Sequence, residues 1–290
     1  MSENFHYGGQ AVIEGVMMRG RRHMVTCVRR PDGELALNGE TLSGIFTGRL
    51  RKLPLVRGIV VLVEAMVLGM RSLLFSASVA LGEEEATKSS SAYLWAMVAL
   101  AMVFAVALFF LAPLFLARLI STGDSSLLFN LVEGLIRIAF FIGYLKLISL
   151  MPDLRRVFAY HGAEHKTVNA YEAGAPFEVA QTRSYSKAHS RCGTSFLFVV
   201  VVIAVAVFAL FGRPSIWLMV LSRVALVPVI AAISYEITYF GARHQNSPLV
   251  RGILMPGRWL QSLTTREPDD RQIEVAIAAL KKLVEMEETA

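Results

Sequence analysis

Between Tyr160 and Lys166 the chain reads Tyr-His-Gly-Ala-Glu-His-Lys, a His-x-x-Glu-His pattern. Residues i and i+4 of a helix share a face, so His161 and His165 can offer two imidazoles to one point, which is a metal-ligand geometry. Glu164, beside the second histidine, is placed to take a proton from water at such a metal, as in the inverted zinc-hydrolase motif. A second pair at i and i+3, His189 and Cys192, follows in the same polar segment, and zinc takes both ligand types. The chain has six histidines and two cysteines, so three of the former and one of the latter within 161–192 concentrate its ligand-forming side chains in one place. The same residues have a plainer use. Two histidines on a helix at a membrane surface serve as interfacial polar groups, and a lone cysteine as a small buried hydrophobe.

Two carboxylates are candidates to add a ligand or to hydrogen-bond one. Glu14 lies between Ile13 and Val16, with a salt bridge to Arg19, Arg21 or Arg22 as its alternative. Glu236, in Ile-Ser-Tyr-Glu, falls near the end of an apolar segment, at a depth similar to the start of the His161 helix. Structural pairing is the competing role.

These residues must be positioned by a chain that is 54% hydrophobic, with a mean hydropathy of +0.52, well above a soluble domain. The expected fold is an α-helical polytopic membrane protein with four transmembrane helices, interfacial helices and a small mixed α+β cytoplasmic cap. Residues 1–54 form a cytoplasmic segment with a β-hairpin, Met24–Arg30 and Glu34–Leu37 around a Pro31-Asp32-Gly33 turn. The glycines between Gly8 and Arg19 imply close backbone packing or tight turns. The opening residues lack a basic stretch followed by an apolar run, so no cleavable signal is expected and the N-terminus is expected inside. Residues 55–92 give an interfacial amphipathic or re-entrant helix and a linker with Glu83-Glu84-Glu85 and Ser89-Ser90-Ser91. Arg57, Glu64 and Arg71 recur every seven residues and so form one polar stripe, drifting only about 20° per step.

Residues 93–150 form a first transmembrane hairpin with a polar turn at 121–126, and 195–240 a second. The loop 151–194 and the tail 241–290 are basic, which puts both inside with the two termini and also accounts for the net charge of +6 without nucleic acid. Cys27 and Cys192 then stay reduced. Within the spans, Glu133 and Arg137 at i, i+4 can pair, and Arg223 is a candidate partner for Glu133 or for a lipid phosphate. Pro-Leu-Val-Arg-Gly-Ile occurs at 54–59 and again at 248–253, which implies two helices that start alike, under a weak pseudo-symmetry. Ile273, Ile277, Leu280 and Val284 mark an amphipathic terminal helix after Pro268-Asp269-Asp270.

Together, Gly8–Arg19, Tyr160–Lys166, His189–Phe196, Ile233–Glu236 and Leu263–Ile277 resemble the YqhQ-like family of uncharacterised bacterial membrane proteins, over roughly Tyr7 to Leu280. That family is described only as uncharacterised membrane proteins predicted to be metal-dependent enzymes, so the resemblance implies a metal at His161 and His165 with Glu164 beside it, and implies no substrate. The leading expectation is a metal-dependent hydrolase, zinc being the expected metal, at the cytoplasmic face of the bacterial plasma membrane. Peptide, lipid head group and nucleotide remain equally open as substrates. The competing expectation is a non-catalytic assembly or chaperone factor whose metal staples the cap, with other membrane proteins or a second copy as partners. A transporter built on Glu133, Arg137 and Arg223 ranks third, since no broken-helix pair is expected.

Overall fold

The structure is a computed structural model, and it describes residues 7–81, 91–120, 125–189, 191–212, 214–244 and 247–289. The expected acidic linker at Glu83, Glu84 and Glu85 and most of the turn at 121–126 lie outside these residues. The protein is mostly helical, with one small antiparallel sheet.

Four strands, β1 (Gly8–Val12), β2 (Gly15–Arg19), β3 (His23–Arg29) and β4 (Leu35–Thr41), form a meander in the order β1-β2-β3-β4. The expected hairpin is present as β3 and β4. Pro31 and Asp32 are the central residues of its turn, the Gly33 amide donates to the Arg30 carbonyl at 3.0 Å, and Gly33 adopts φ +94°. The glycine-rich stretch before it makes a second hairpin, β1 and β2, which was not expected. Side chains alternate across the sheet, and along its central strands β2 and β3 both faces are covered. Val16, Met18, Val25 and Cys27 pack on one side, while Met17, Met24 and Leu42 pack on the other. With both of their faces buried, β2 and β3 carry no polar and apolar alternation in the sequence.

The first helix, α1 (Val56–Leu81), covers the second face through Leu68 and through Ser72, whose hydroxyl lies 3.0 Å from that of Thr26. Its seven-residue polar stripe finds a partner at every step. Arg57 pairs with Glu236, Glu64 with Arg19 and Arg51, and Arg71 with Glu40.

Three segments follow: α2 (Ser91–Val106), a π-helical turn (Ala107–Leu111) and α3 (Ala112–Ile120). The π turn has a cause in the sequence. In an α-helix the Phe109 carbonyl would accept from residue 113, and Pro113 has no N–H to give. After α3 come α4 (Ser126–Ile148), α5 (Pro152–Glu172), α6 (Gly193–Leu210), α7 (Ile216–Ala225), α8 (Val227–Arg243), α9 (Pro248–Thr264) and α10 (Asp270–Glu288).

Among the described residues, three segments are long and apolar enough to cross a membrane: Val56–Ala80, Ala96–Ile120 and Gly193–Leu210. The count rises to five if the bent pairs α4 with α5 (98°) and α7 with α8 (47°) are each taken as one span. Several such segments point to a bilayer environment. The expectation of an unbroken bundle is corrected here, because the segment from Ile216 to Arg243 is bent at Leu226. Pro228 cannot donate to the Val224 carbonyl, and the missing bond loosens the helix at that point.

The released Phe109 carbonyl is used. It accepts from Nε of Arg137 at 3.0 Å, while Arg137 also pairs with Glu133 one turn away. Arg223, just before the bend, donates to the same carboxylate at 2.6 Å and 3.3 Å, so Glu133 serves two guanidiniums. Both arginines also lie over the Phe208 ring, at 4.8 Å and 4.4 Å. All three charged residues are no more than 1% exposed. Of the two expected partners for Arg223, the structure supplies Glu133.

The repeated hexapeptide starts a helix each time, but its two copies have different surroundings. Gly58 lies against the Ala232 backbone, where a Cβ would come within 3.0 Å of Cα, whereas Gly252 meets nothing within 4 Å.

The sheet's first face is packed by α5 and α10. A reciprocal cap starts α10: Asp269 accepts from the Gln272 amide at 2.8 Å, and the Gln272 side chain accepts from the Asp269 amide at 3.0 Å. Ile273, Ile277 and Leu280 are buried as expected, joined by Leu283 where the stripe was drawn through the partly buried Val284.

Candidate metal centre

The helix that carries His161, Glu164 and His165 is well specified at both ends. Pro152 occupies its first position and Asp153 its first turn, where a fixed φ and a negative charge both help. It stops at Gly174, φ +76°, where the Gly174 amide bonds the Tyr171 carbonyl and the Ala175 amide bonds that of Ala170, the double closure of a Schellman motif. Two glycines let neighbours close on it. A Cβ on Gly9 of β1 would lie 2.9 Å from Cγ of Glu164, and one on Gly162 would lie 2.1 Å from the Arg266 carbonyl oxygen. The strand and the 264–268 segment therefore press on opposite flanks of the motif.

The structure brings His161, His165 and Cys192 together, with one donor atom from each lying within 4.8 Å of the others. Cys192 is the N-cap of α6, and its Sγ accepts from the Thr194 amide at 3.4 Å. Both imidazoles are oriented from behind. Nδ1 of His161 lies 2.9 Å from the Thr264 carbonyl and Nδ1 of His165 lies 2.6 Å from that of Lys187. A carbonyl can only accept, so each Nδ1 carries a proton, and it is Nε2 of each ring that, in the neutral imidazole, offers a lone pair to the shared space. Nε2 of His161 is 3.4 Å from Cys192 Sγ. Two ligands of a tetrahedral zinc, at the usual Zn–S and Zn–N lengths, stand about 3.6 Å apart, so the pair fits such an ion. Nε2 of His165 faces Oε2 of the buried Glu164 at 3.4 Å. A lone pair opposite a carboxylate is unfavourable without a cation or proton donor between them, and the donor set therefore suits a cation.

The structure does not bring His189 into this group. Its ring centre is 5.5 Å from that of His165, and its Nε2 is turned to Arg191 at 3.3 Å and Glu172 at 3.8 Å. Glu14 is committed elsewhere, to Arg156 and to the Tyr160 hydroxyl at 3.3 Å, not to the arginines expected from sequence. Burial, with Glu14 beside it, pushes the Tyr160 phenol well above its usual range. Glu236 is likewise committed, accepting from Arg57 and from the Leu55 amide at 2.9 Å at the start of α1. Cys27 is buried in the sheet, and burial pushes its thiol up to about 12, so it is inert.

Several residues that shape the site escaped the sequence reading. Gln261, fully buried in α9, accepts from the His189 amide at 3.0 Å and donates to the His189 carbonyl at 2.7 Å and to Ser195 at 2.8 Å. Asn169 holds the Ser186 and Ala188 carbonyls at 2.7 Å and 3.1 Å. Between them they fix the loop whose Lys187 carbonyl orients His165. A signal for Asn169 and Glu172 was present: with His161 and His165 they form an i, i+4, i+8, i+11 face.

The family described as "Protein of unknown function (DUF1385)" matches residues 53–286. The chain is 37% identical over 303 aligned positions to the "Uncharacterized protein YqhQ" of Bacillus subtilis (strain 168), covering 97% of this chain and 93% of that protein. No solved structure matches it. The helical bundle, the sheet and the His/Glu/Cys cluster thus describe a chain that belongs to the DUF1385 family, with YqhQ as a relative along nearly its full length.

Proposed function

We propose that this chain is a metal-dependent hydrolase at the cytoplasmic face of the bacterial plasma membrane, with zinc held by His161, His165 and Cys192. The carrying observation is the convergence of three donor atoms within 4.8 Å, two of them on imidazoles whose other nitrogen is already committed to a carbonyl. Zinc bound there supplies Lewis-acid polarisation and a water acidified to near neutral pH. Glu164 takes the proton from the attacking water and returns it to the leaving group. Three protein donors leave the fourth tetrahedral position to water or substrate, the pattern of catalytic rather than structural zinc.

A second reading, a structural staple in an assembly factor, is favoured by how many elements meet here: α5, the start of α6 and, through Thr264, α9. His189 separates the two. Elemental analysis of the purified protein should give about one zinc per chain, lost in Cys192→Ala and retained in His189→Ala, as an open three-donor site requires. Loss in His189→Ala as complete as in Cys192→Ala would hand the site to the four-ligand staple. No zinc in the wild type would sink both readings.

The same reading gives the chain four crossings, 96–120, α4, α6 and the bent 216–243 segment, with α1 along the interface. At 1.5 Å per residue α4 is roughly 35 Å long, enough to span alone. The support for an interfacial α1 is its two faces: one is covered by the sheet, and on the other Ile59, Val63 and Leu74 are exposed. A reporter fused after Ala290 should read the cytoplasm, and one inserted near Asp124 the opposite side. Reporters on the same side would overturn this topology.

A further inference from the structure

We propose that Arg155 and Arg266 form a binding site for the phosphate of a membrane lipid, at the bend between α4 and α5. Nε of Arg155 and Nη2 of Arg266 each donate to one oxygen, the Ser149 carbonyl, at 3.3 Å. Two guanidiniums on one acceptor lie well inside the Debye length of about 8 Å at physiological salt, and so repel each other. The C-terminal end of α4, which Ser149 caps, offers them only about half a negative charge. Neither arginine forms an ion pair with a carboxylate among the described residues. Other cations of the same region do: Arg156 with Glu14, Lys166 with Glu267, Arg183 with Asp270 and Arg191 with Glu172. The corner thus presents two exposed guanidiniums on one carbonyl, with Asp153 of the first turn of α5 nearby but not in an ion pair with either.

An anion is the occupant such a corner takes, and the planar fork of a guanidinium matches phosphate oxygens in pairs. The neighbours say where the phosphate comes from. Leu147, Leu150 and Met151, 64%, 51% and 50% exposed, surround the same bend. Large apolar side chains beside paired cations, at the end of a helix long enough to span, describe a headgroup boundary rather than an aqueous pocket. The site also adjoins the candidate metal centre. Arg266 donates its amide to the Phe158 carbonyl at 2.8 Å and lays its own carbonyl over Gly162, two residues beyond the Thr264 carbonyl that orients His161. The site needs no metal, so it stands or falls independently of the hydrolase reading.

The test is isothermal titration of the full-length protein in a nonionic detergent, with dioctanoyl phosphatidylglycerol as the probe and inorganic phosphate as a separate arm. Each guanidinium contributes on the order of 1 kcal/mol, so Arg155→Gln or Arg266→Gln alone should weaken lipid binding about five-fold and the double variant about thirty-fold. Lys281→Gln, which removes the same charge from the exposed side of α10, should leave it unchanged. Each single variant keeps one donor on Ser149, so the result holds even if the double variant fails to fold. Unchanged affinity in both single variants overturns the site. Inorganic phosphate binding as tightly as the lipid overturns the lipid as its source.

Discussion

Replacing Glu164 by Gln should leave the zinc content of the protein unchanged while lowering its activity by about 10²–10⁴-fold, the usual contribution of a positioned general base. The two effects separate because Glu164 is not one of the three converging donors, yet its Oε2 stands 3.4 Å from His165 Nε2, at the edge of the space they enclose. An amide keeps the size of the side chain and its packing against Gly9 but cannot accept a proton from water. Because the substrate is unidentified, the first measurement is genetic: complementation of a deletion strain by the Gln variant, with metal content determined on the same protein. Full zinc with lost complementation supports the hydrolase. Full zinc with full complementation removes the catalytic reading and leaves the staple, in which a carboxylate beside the ligands costs little when it becomes an amide. His165→Ala would damage both cases and decides nothing.

The sequence carried the part of this site that depends on local geometry. His161, Glu164 and His165 are set by the period of one helix, so a five-residue pattern is enough to find them. Cys192 could be proposed from its residue type alone; that it meets His161, and that His189 turns instead to Glu172 and Arg191, depends on how the loop after α5 returns. The groups that orient the imidazoles are backbone carbonyls of Lys187 and Thr264, which have no side-chain signature at all. Gly162 illustrates the same limit. Its lack of a Cβ is required by a segment 104 positions later, and nothing near it in sequence says so. In the fold, the polar stripe of α1 was legible because helical spacing exposes it, and the four residues paired with it show that the stripe faces the protein. The β1 and β2 strands were not: β2 is buried on both faces and carries no alternation, β1 has small residues with no apolar pattern, and neither has the Pro-Asp-Gly turn that marks β3 and β4. The π turn and the bend at Leu226 were present as Pro113 and Pro228, but a proline inside an apolar run reads as a tolerated kink until the bend itself, or the partner of a freed carbonyl such as that of Phe109, is seen.

Glu133→Gln should be among the most damaging single changes in the bundle, costing about 3–5 kcal/mol of stability, the usual loss when one partner of a buried ion pair is removed. The size follows from what is left behind. One carboxylate serves Arg137 and Arg223, so its loss strands two like charges in a region where each is no more than 1% exposed. A lost interhelical hydrogen bond alone is worth only about 0.6 kcal/mol on average in a membrane, whereas a stranded arginine costs about 2.5–3.5 kcal/mol even on the lenient insertion scale. The charge term therefore wins, and the ranking of variants tests it. Arg223→Leu leaves Glu133 and Arg137 as a neutral pair, with the Phe109 carbonyl still accepting from Arg137, and should cost much less than Glu133→Gln although it removes a larger side chain. Thermal unfolding of both variants in the same detergent gives the comparison. Equal losses would mean that packing around Phe208, rather than charge balance, holds this part of the bundle. A greater loss for Arg223→Leu would mean that the bent helix needs the guanidinium itself, to tie the segment before Pro228 to α4.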